Sequence, residues 1–144
     1  MEHDFYSDTL ISAVLESTRT VALVGASGNP ARPSHGVMTW WLRRGIRVFP
    51  VNPGLAGTEL LEQRVFATLA DVPDAVDLVD VFRNSDAAGG VVDEALALSP
   101  LPRTIWMQLG VRDLVAAGRA EAAGVTVIMD RCPVIEATRL AGAR

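Results

Sequence analysis

Five short apolar runs, at 21–24, 46–51, 77–82, 104–108 and 125–129, alternate with stretches whose apolar residues recur at helical spacing. Runs this short and this continuously apolar are strands buried on both faces, and parallel neighbours need the helical crossovers that lie between them. One helix is expected over 8–17, with Asp8 as cap and Leu10, Ile11, Val14 and Leu15 on one face. A second runs from a Ser34 cap through Val37, Met38, Trp41 and Leu42 to Gly45. Others are expected over 86–98, capped by Ser85 or Asp86 and stopped at Ser99-Pro100, over 112–123, and from Pro133 to about Leu140. Right-handed crossovers then make the chain a single α/β domain: a doubly wound, Rossmann-like sheet of five parallel strands, for which the order 3-2-1-4-5 is expected. The core spans about 18–140. Residues 1–7 read as a loose terminus, and within 55–73 a short helix over 67–71 is the element expected.

In such a sheet ligands sit past the carboxyl ends of the strands, here expected at the switch between strands 1 and 4. The first of those strand ends is the most informative. Residues 20–47 read TRTVALVGASGNPARPSHGVMTWWLRRGIR, an apolar run, a Gly/Ser/Pro loop without an acidic residue, and an amphipathic helix. Gly25 ends the strand where the backbone must turn, and the loop carries Arg32 into a helix N-terminus. Free N–H groups and the positive end of the helix dipole meet there, so the loop suits an anion, a nucleotide or another phosphate ester.

Composition removes several chemistries. The 13 basic residues are all arginine, so neither a Schiff-base lysine nor a P-loop lysine exists. A net charge of −4 speaks against a nucleic-acid-sized basic surface. One cysteine excludes an internal disulfide, and one cysteine with His3 and His35 has no metal-binding spacing. No apolar run approaches the length of a membrane span and the opening residues are acidic, so the expectation is a cytoplasmic protein that engages neither membrane nor nucleic acid. A dinucleotide fingerprint also fails: Gly25-Ala26-Ser27-Gly28 is not G-x-G-x-x-G, and the second strand ends in Asn52-Pro53 where an NAD site needs an acid for the ribose.

Five segments, VALVGAS with RPSHGV, VFPVNP, VDVFR, WMQLGV and VIMDRCPVIE, each at a strand end, carry a resemblance. In order and spacing the chain resembles the small, single-domain CoA-binding protein family, related to the nucleotide-binding domain of the succinyl-CoA synthetase alpha subunit. The likeness covers roughly 18–140. It implies coenzyme A as ligand, with Gly25, Ala26, Ser27, Gly28, Arg32 and Ser34 around the pyrophosphate, Asn52 and Pro53 near the nucleotide, and Phe82, Arg83, Gln108 and Gly110 along the cleft. Ala26 departs from the larger residue expected in many relatives, but a small side chain still lets the backbone approach a phosphate.

Other residues admit two readings. Cys132, beside Arg131 and ahead of a helix, is either a buried structural thiol or a group able to form a mixed disulfide with CoA. Asp80 interrupts an apolar strand and needs a partner, for which Arg83 is the candidate. Trp40, Trp41 and Trp106 fit core packing better than adenine stacking, and His35 reads as a neutral ligand-adjacent or surface residue. Arg43, Arg44 and Arg47 read as a solvated basic face. No nucleophile sits with a paired base, so the expectation is a non-catalytic module binding CoA or acyl-CoA. The alternatives are an NAD(P)- or CoA-dependent enzyme, or a subunit completing a separate acyl-CoA ligase.

Overall fold

A computed structural model describes residues 1–142. Its main sheet has five parallel strands, β1 (Thr20–Val24), β2 (Arg47–Val51), β3 (Leu78–Val81), β4 (Thr104–Met107) and β5 (Thr126–Ile128). Five helices accompany them: α1 (Asp8–Ser17), α2 (Pro33–Arg43), α3 (Ser85–Leu96), α4 (Leu114–Ala122) and α5 (Pro133–Gly142). The alternation along each strand explains the two layers. Val21, Leu23, Leu78, Trp106 and Ile128 face Ile11, Val14, Val37, Met38 and Trp41 of α1 and α2, with α5 against the same layer. Ala22, Val24, Val79, Val81, Ile105, Met107 and Val127 face the alanine- and valine-rich stripes of α3 and α4. Trp41 and Trp106 are fully buried, which places them in the core, whereas Trp40 is half-buried under the Arg44 guanidinium.

The parallel doubly wound sheet is as the sequence implies, but its order is β2-β1-β3-β4-β5 instead of 3-2-1-4-5. The third strand pairs with β1, Leu78 opposite Val21 and Val81 opposite Val24. The place outside β2 is already taken: Phe66 N–H donates to Pro50 O and Asn52 N–H to Phe66 O, so residues around Phe66 cover that edge. A right-handed return past β1 must then cross the opposite face from α2, and Leu69 of the connecting segment packs in the α3/α4 layer. The switch point therefore lies between β1 and β3.

Several local readings shift by a residue or two. Ser7, not Asp8, caps α1, its Oγ accepting from Leu10 N–H (3.1 Å). Asn84 caps α3 through Ala87 N–H (3.0 Å), which frees Ser85 Oγ to accept from Arg112 N–H. Pro33 opens α2, its fixed φ suited to the first helical position, so Ser34 lies inside the helix and its hydroxyl caps nothing. Between β2 and β3 a two-residue hairpin, Glu59–Leu60 with Gln63–Arg64, was not legible, and the helix expected over 67–71 is a single 3₁₀ turn, Leu69–Asp71, with a Thr68–Asp71 capping box. Nor is the N-terminal segment loose. Buried His3 bonds Tyr6 Oη through Nδ1 (2.6 Å) and Glu121 Oε1 of α4 through Nε2 (2.5 Å), and Tyr6 Oη accepts from Met129 N–H (3.0 Å). Burial pushes the Glu121 carboxyl up, but the bond from His3 and nearby positive charge outweigh it and hold the group below its ordinary value.

Candidate functional site

The loops after β1, β2, β3 and β4 and the turn into α5 enclose a cleft of about 750 Å³ at the carboxyl edge of the sheet. That volume lies in the range of small-molecule and cofactor sites. Among the described residues its wall holds two guanidinium groups, Arg32 and Arg83, and no carboxylate. Val37, Phe82, Leu109 and Val111 give it apolar surface.

The loop after β1 is fixed before any ligand arrives. Gly25 and Ala26 N–H both reach Val51 O (2.9 and 3.3 Å), and Asn52 Nδ2 donates to Ala26 O (2.8 Å). Further along, Asn29 N–H reaches Ser27 Oγ, Ala31 N–H reaches Asn29 Oδ1 and Arg32 N–H reaches Asn29 O. Among the described residues these bonds leave the N–H groups of Ser27, Gly28 and Ser34 without a protein partner, the last of them in the first turn of α2 at its positive dipole end. Ser34 is 4% exposed and lines the cleft, and among the described residues its hydroxyl has no hydrogen-bond partner. Gly25 has φ +91°, and a Cβ there would lie 2.7 Å from Phe82 O, so glycine is what lets the loop pass the end of β3.

The opposite wall is tied together across three loops. Gly110, at φ +80°, donates its N–H to Asp130 Oδ1 (2.7 Å) and accepts from Ser85 Oγ (3.2 Å). Asp130 itself has φ +57°, an uncommon conformation for a residue other than glycine, held by its bond to Gly110. Beneath this wall lies Asp80, fully buried, with Oδ1 accepting from Gln108 Nε2 (2.7 Å) and Oδ2 from Trp41 Nε1 (3.0 Å). Burial pushes its carboxyl up to about 7, against the two hydrogen bonds that favour the charge. The expected pairing with Arg83 does not occur: β3 directs Asp80 into the α2 layer, whereas Arg83 lies two residues beyond the strand in the exposed cleft rim.

Of the residues expected at the site, Gly25, Ala26, Ser27, Arg32, Ser34, Asn52, Phe82, Arg83, Gln108 and Gly110 surround this cleft. Gly28 and Pro53 do not: Gly28 is exposed beside Leu60, and Pro53 opens a 3₁₀ turn, Pro53–Leu55, outside the lining. Asn52 is on the wall, but its side chain is spent on Ala26 O and Gly54 N–H. Cys132 is half-buried in the same wall, neither a core residue nor a surface one. Pro33, Val37, Asn84, Leu109 and Val111 complete it; all but Asn84 lie inside the strand-end segments RPSHGV and WMQLGV, and Asn84 directly follows VDVFR. His35 lies off the cleft lining. Among the described residues no group of three or more His, Cys, Asp or Glu could hold a metal, and no helix is long and apolar enough to cross a membrane.

Residues 19–138 match the CoA binding domain family. The chain belongs to that family. The uncharacterized protein YneT of Bacillus subtilis is 33% identical over 122 residues, covering 85% of this chain and 87% of YneT. The structure of cell-free ID.343 from Thermus thermophilus superposes on the domain with a TM-score of 0.87 at 37% identity, covering 94% of this chain and 99% of that one. The dinucleotide-forming acetyl-coenzyme A synthetase 1 of Ca. Korarchaeum cryptofilum shares the fold, with a TM-score of 0.65 at 24% identity. There the likeness covers 76% of this CoA-binding domain and 25% of the synthetase chain.

Proposed function

We propose that this domain binds coenzyme A or an acyl-CoA in the cleft past β1 and β3, as a binding module without catalysis of its own. The observation that carries the reading is the acid-free loop after β1, where Ser27 and Ser34, whose N–H groups have no partner among the described residues, line the cleft together with Arg32 and the buried hydroxyl of Ser34. Such an arrangement suits phosphates, and the apolar patches of Phe82, Leu109 and Val111 suit the less polar arm of the same ligand. A free NAD is a poorer fit, because the residue in the ribose-reading position, Asn52, already serves the loop.

Catalysis by acyl transfer needs a nucleophile beside a base and donors aimed at the developing oxyanion. Cys132 supplies a thiol, but among the described residues the cleft lining contains no histidine and no carboxylate to take its proton. Incubation of the protein with acetyl-CoA should therefore release free thiol no faster than the buffer alone. Release well above that blank, abolished by Cys132→Ser, would make the domain an enzyme.

Arg32→Ala tests the binding reading. Loss of one charge-assisted hydrogen bond should weaken CoA by ~1.5 to 3 kcal/mol, while an exposed loop arginine contributes little to stability. Calorimetric titration of both proteins at one salt concentration reads this directly. Equal affinities would take Arg32, and with it the phosphate assignment of the loop, out of the account.

A further inference from the structure

Gln108 is 6% exposed yet lines the cleft, and the two ends of its amide have different surroundings. Nε2 donates to Asp80 Oδ1, whereas Oε1 has no partner among the described residues. Among the described residues no fully buried side-chain oxygen or nitrogen goes unpaired, so Oε1 opens on the cleft. Chemistry fixes this orientation while Asp80 is ionised, because a carboxylate only accepts and must be faced by the NH₂ end.

Protonation reverses it. Asp80 Oδ2 is held by the indole N–H of Trp41, which only donates, so the proton settles on Oδ1, the oxygen facing Gln108. That new O–H needs an acceptor, and the amide supplies one by turning Oε1 inward and its NH₂ toward the cleft. We propose that the protonation state of Asp80 sets the polarity that Gln108 shows the ligand: a hydrogen-bond acceptor when the carboxyl is ionised, a donor when it is protonated. Applied to CoA, this rests on the function proposed above.

The surroundings of Asp80 leave the choice to burial and these two bonds. Across the sheet it faces Leu23 on β1 and Trp106 on β4. Of the titratable groups on the elements around it, His35 and Arg43 on α2, Arg83 after β3, Arg131 and Cys132 before α5, and Glu136 and Arg139 on α5, none among the described residues is hydrogen-bonded or ion-paired to the carboxyl. Burial brings its midpoint to about 7, so both forms are populated near neutrality. Above that midpoint the cleft offers an acceptor, which matches an N–H or O–H group such as the amide N–H groups of the pantetheine arm.

Amide and indole N–H resonances of the free protein, followed by ¹H–¹⁵N spectroscopy from pH 5.5 to 8.5, test the reversal without a ligand. The Gln108 NH₂ pair and the Trp41 indole should shift together with a midpoint near 7, and stay still in Asp80→Asn. In parallel, CoA affinity should fall about tenfold from pH 8 to pH 6 beyond the fall seen in Asp80→Asn and Gln108→Leu, the ~1.4 kcal/mol of one contact. The two variants report the part owed to protonation of the ligand's own phosphate, with a second pKa near ~6. A Gln108 amide that does not titrate, or an equal pH dependence in wild type and Asp80→Asn, overturns the proposal. If CoA binds at no pH while amide and indole titrate together, the CoA reading fails and the polarity reversal stands.

Discussion

Gly25→Ala should lower stability by ~2 to 5 kcal/mol and melt the domain roughly 10 °C earlier, the scale expected for a domain of this size. Two costs add. An L-residue at φ +91° is strained by ~1 to 2 kcal/mol, and the new Cβ would lie 2.7 Å from Phe82 O, a backbone atom that moves only if the end of β3 moves. The displacement would also disturb the paired N–H bonds from Gly25 and Ala26 to Val51 O, and with them the loop that faces the ligand. CoA affinity should fall at least about tenfold for that reason. Thermal melts and calorimetry on the same preparation check both halves. A variant melting within about 2 °C of wild type would show that β1 and β3 do not approach as closely as described.

Asp80→Asn should act in the opposite direction, and by an amount that depends on pH. A carboxyl whose folded pKa is raised binds its proton more tightly in the folded state, so it lowers stability as pH climbs from 3.8 through about 7. At ~1.36 kcal/mol per pH unit, the ordering of the two proteins should change by on the order of 4 kcal/mol across that window. Asparagine keeps both contacts: its oxygen accepts from Trp41 Nε1, and its NH₂ donates to Gln108 Oε1 after the amide turns. The variant should therefore be the more stable protein at pH 8, with the advantage shrinking toward zero near pH 4. Urea unfolding at several pH values gives the slope. A variant less stable than wild type at pH 8 would mean that the ionised carboxylate is favourable where it lies.

These two residues also mark what the sequence does and does not reveal. Gly25 was legible because an apolar run, a glycine and a polar loop occur together, and the same punctuation at Asn52, Arg83 and Gly110 disclosed the rest of the cleft edge. The two-layer core followed from alternation in strands such as Val21 to Val24, whose odd and even residues join different layers. Asp80 was legible as an anomaly, but not its partners. Trp41 and Gln108 lie 39 and 28 residues away, and nothing local distinguishes them from Arg83, three residues on. Strand order failed for a similar reason: apolar periodicity says that a strand is buried, not which neighbour it pairs with, and Phe66 at the outer edge of β2 decides the matter from within an unpatterned stretch. Helix starts slipped where several capping residues stand side by side, as at Ser7-Asp8 and Asn84-Ser85. The anchoring of the N-terminal segment depends on His3 meeting Glu121, 118 residues later.

Thermal unfolding of the purified domain with CoA and, separately, with NAD puts the central claim to its most direct test. Ligand at ~100 times its dissociation constant stabilises by ~2.7 kcal/mol, which at ~2 to 4 °C per kcal/mol is a rise of ~5 to 11 °C. A rise of that size with CoA and none with NAD is the expected result; a comparable rise with NAD and none with CoA would overturn the CoA reading.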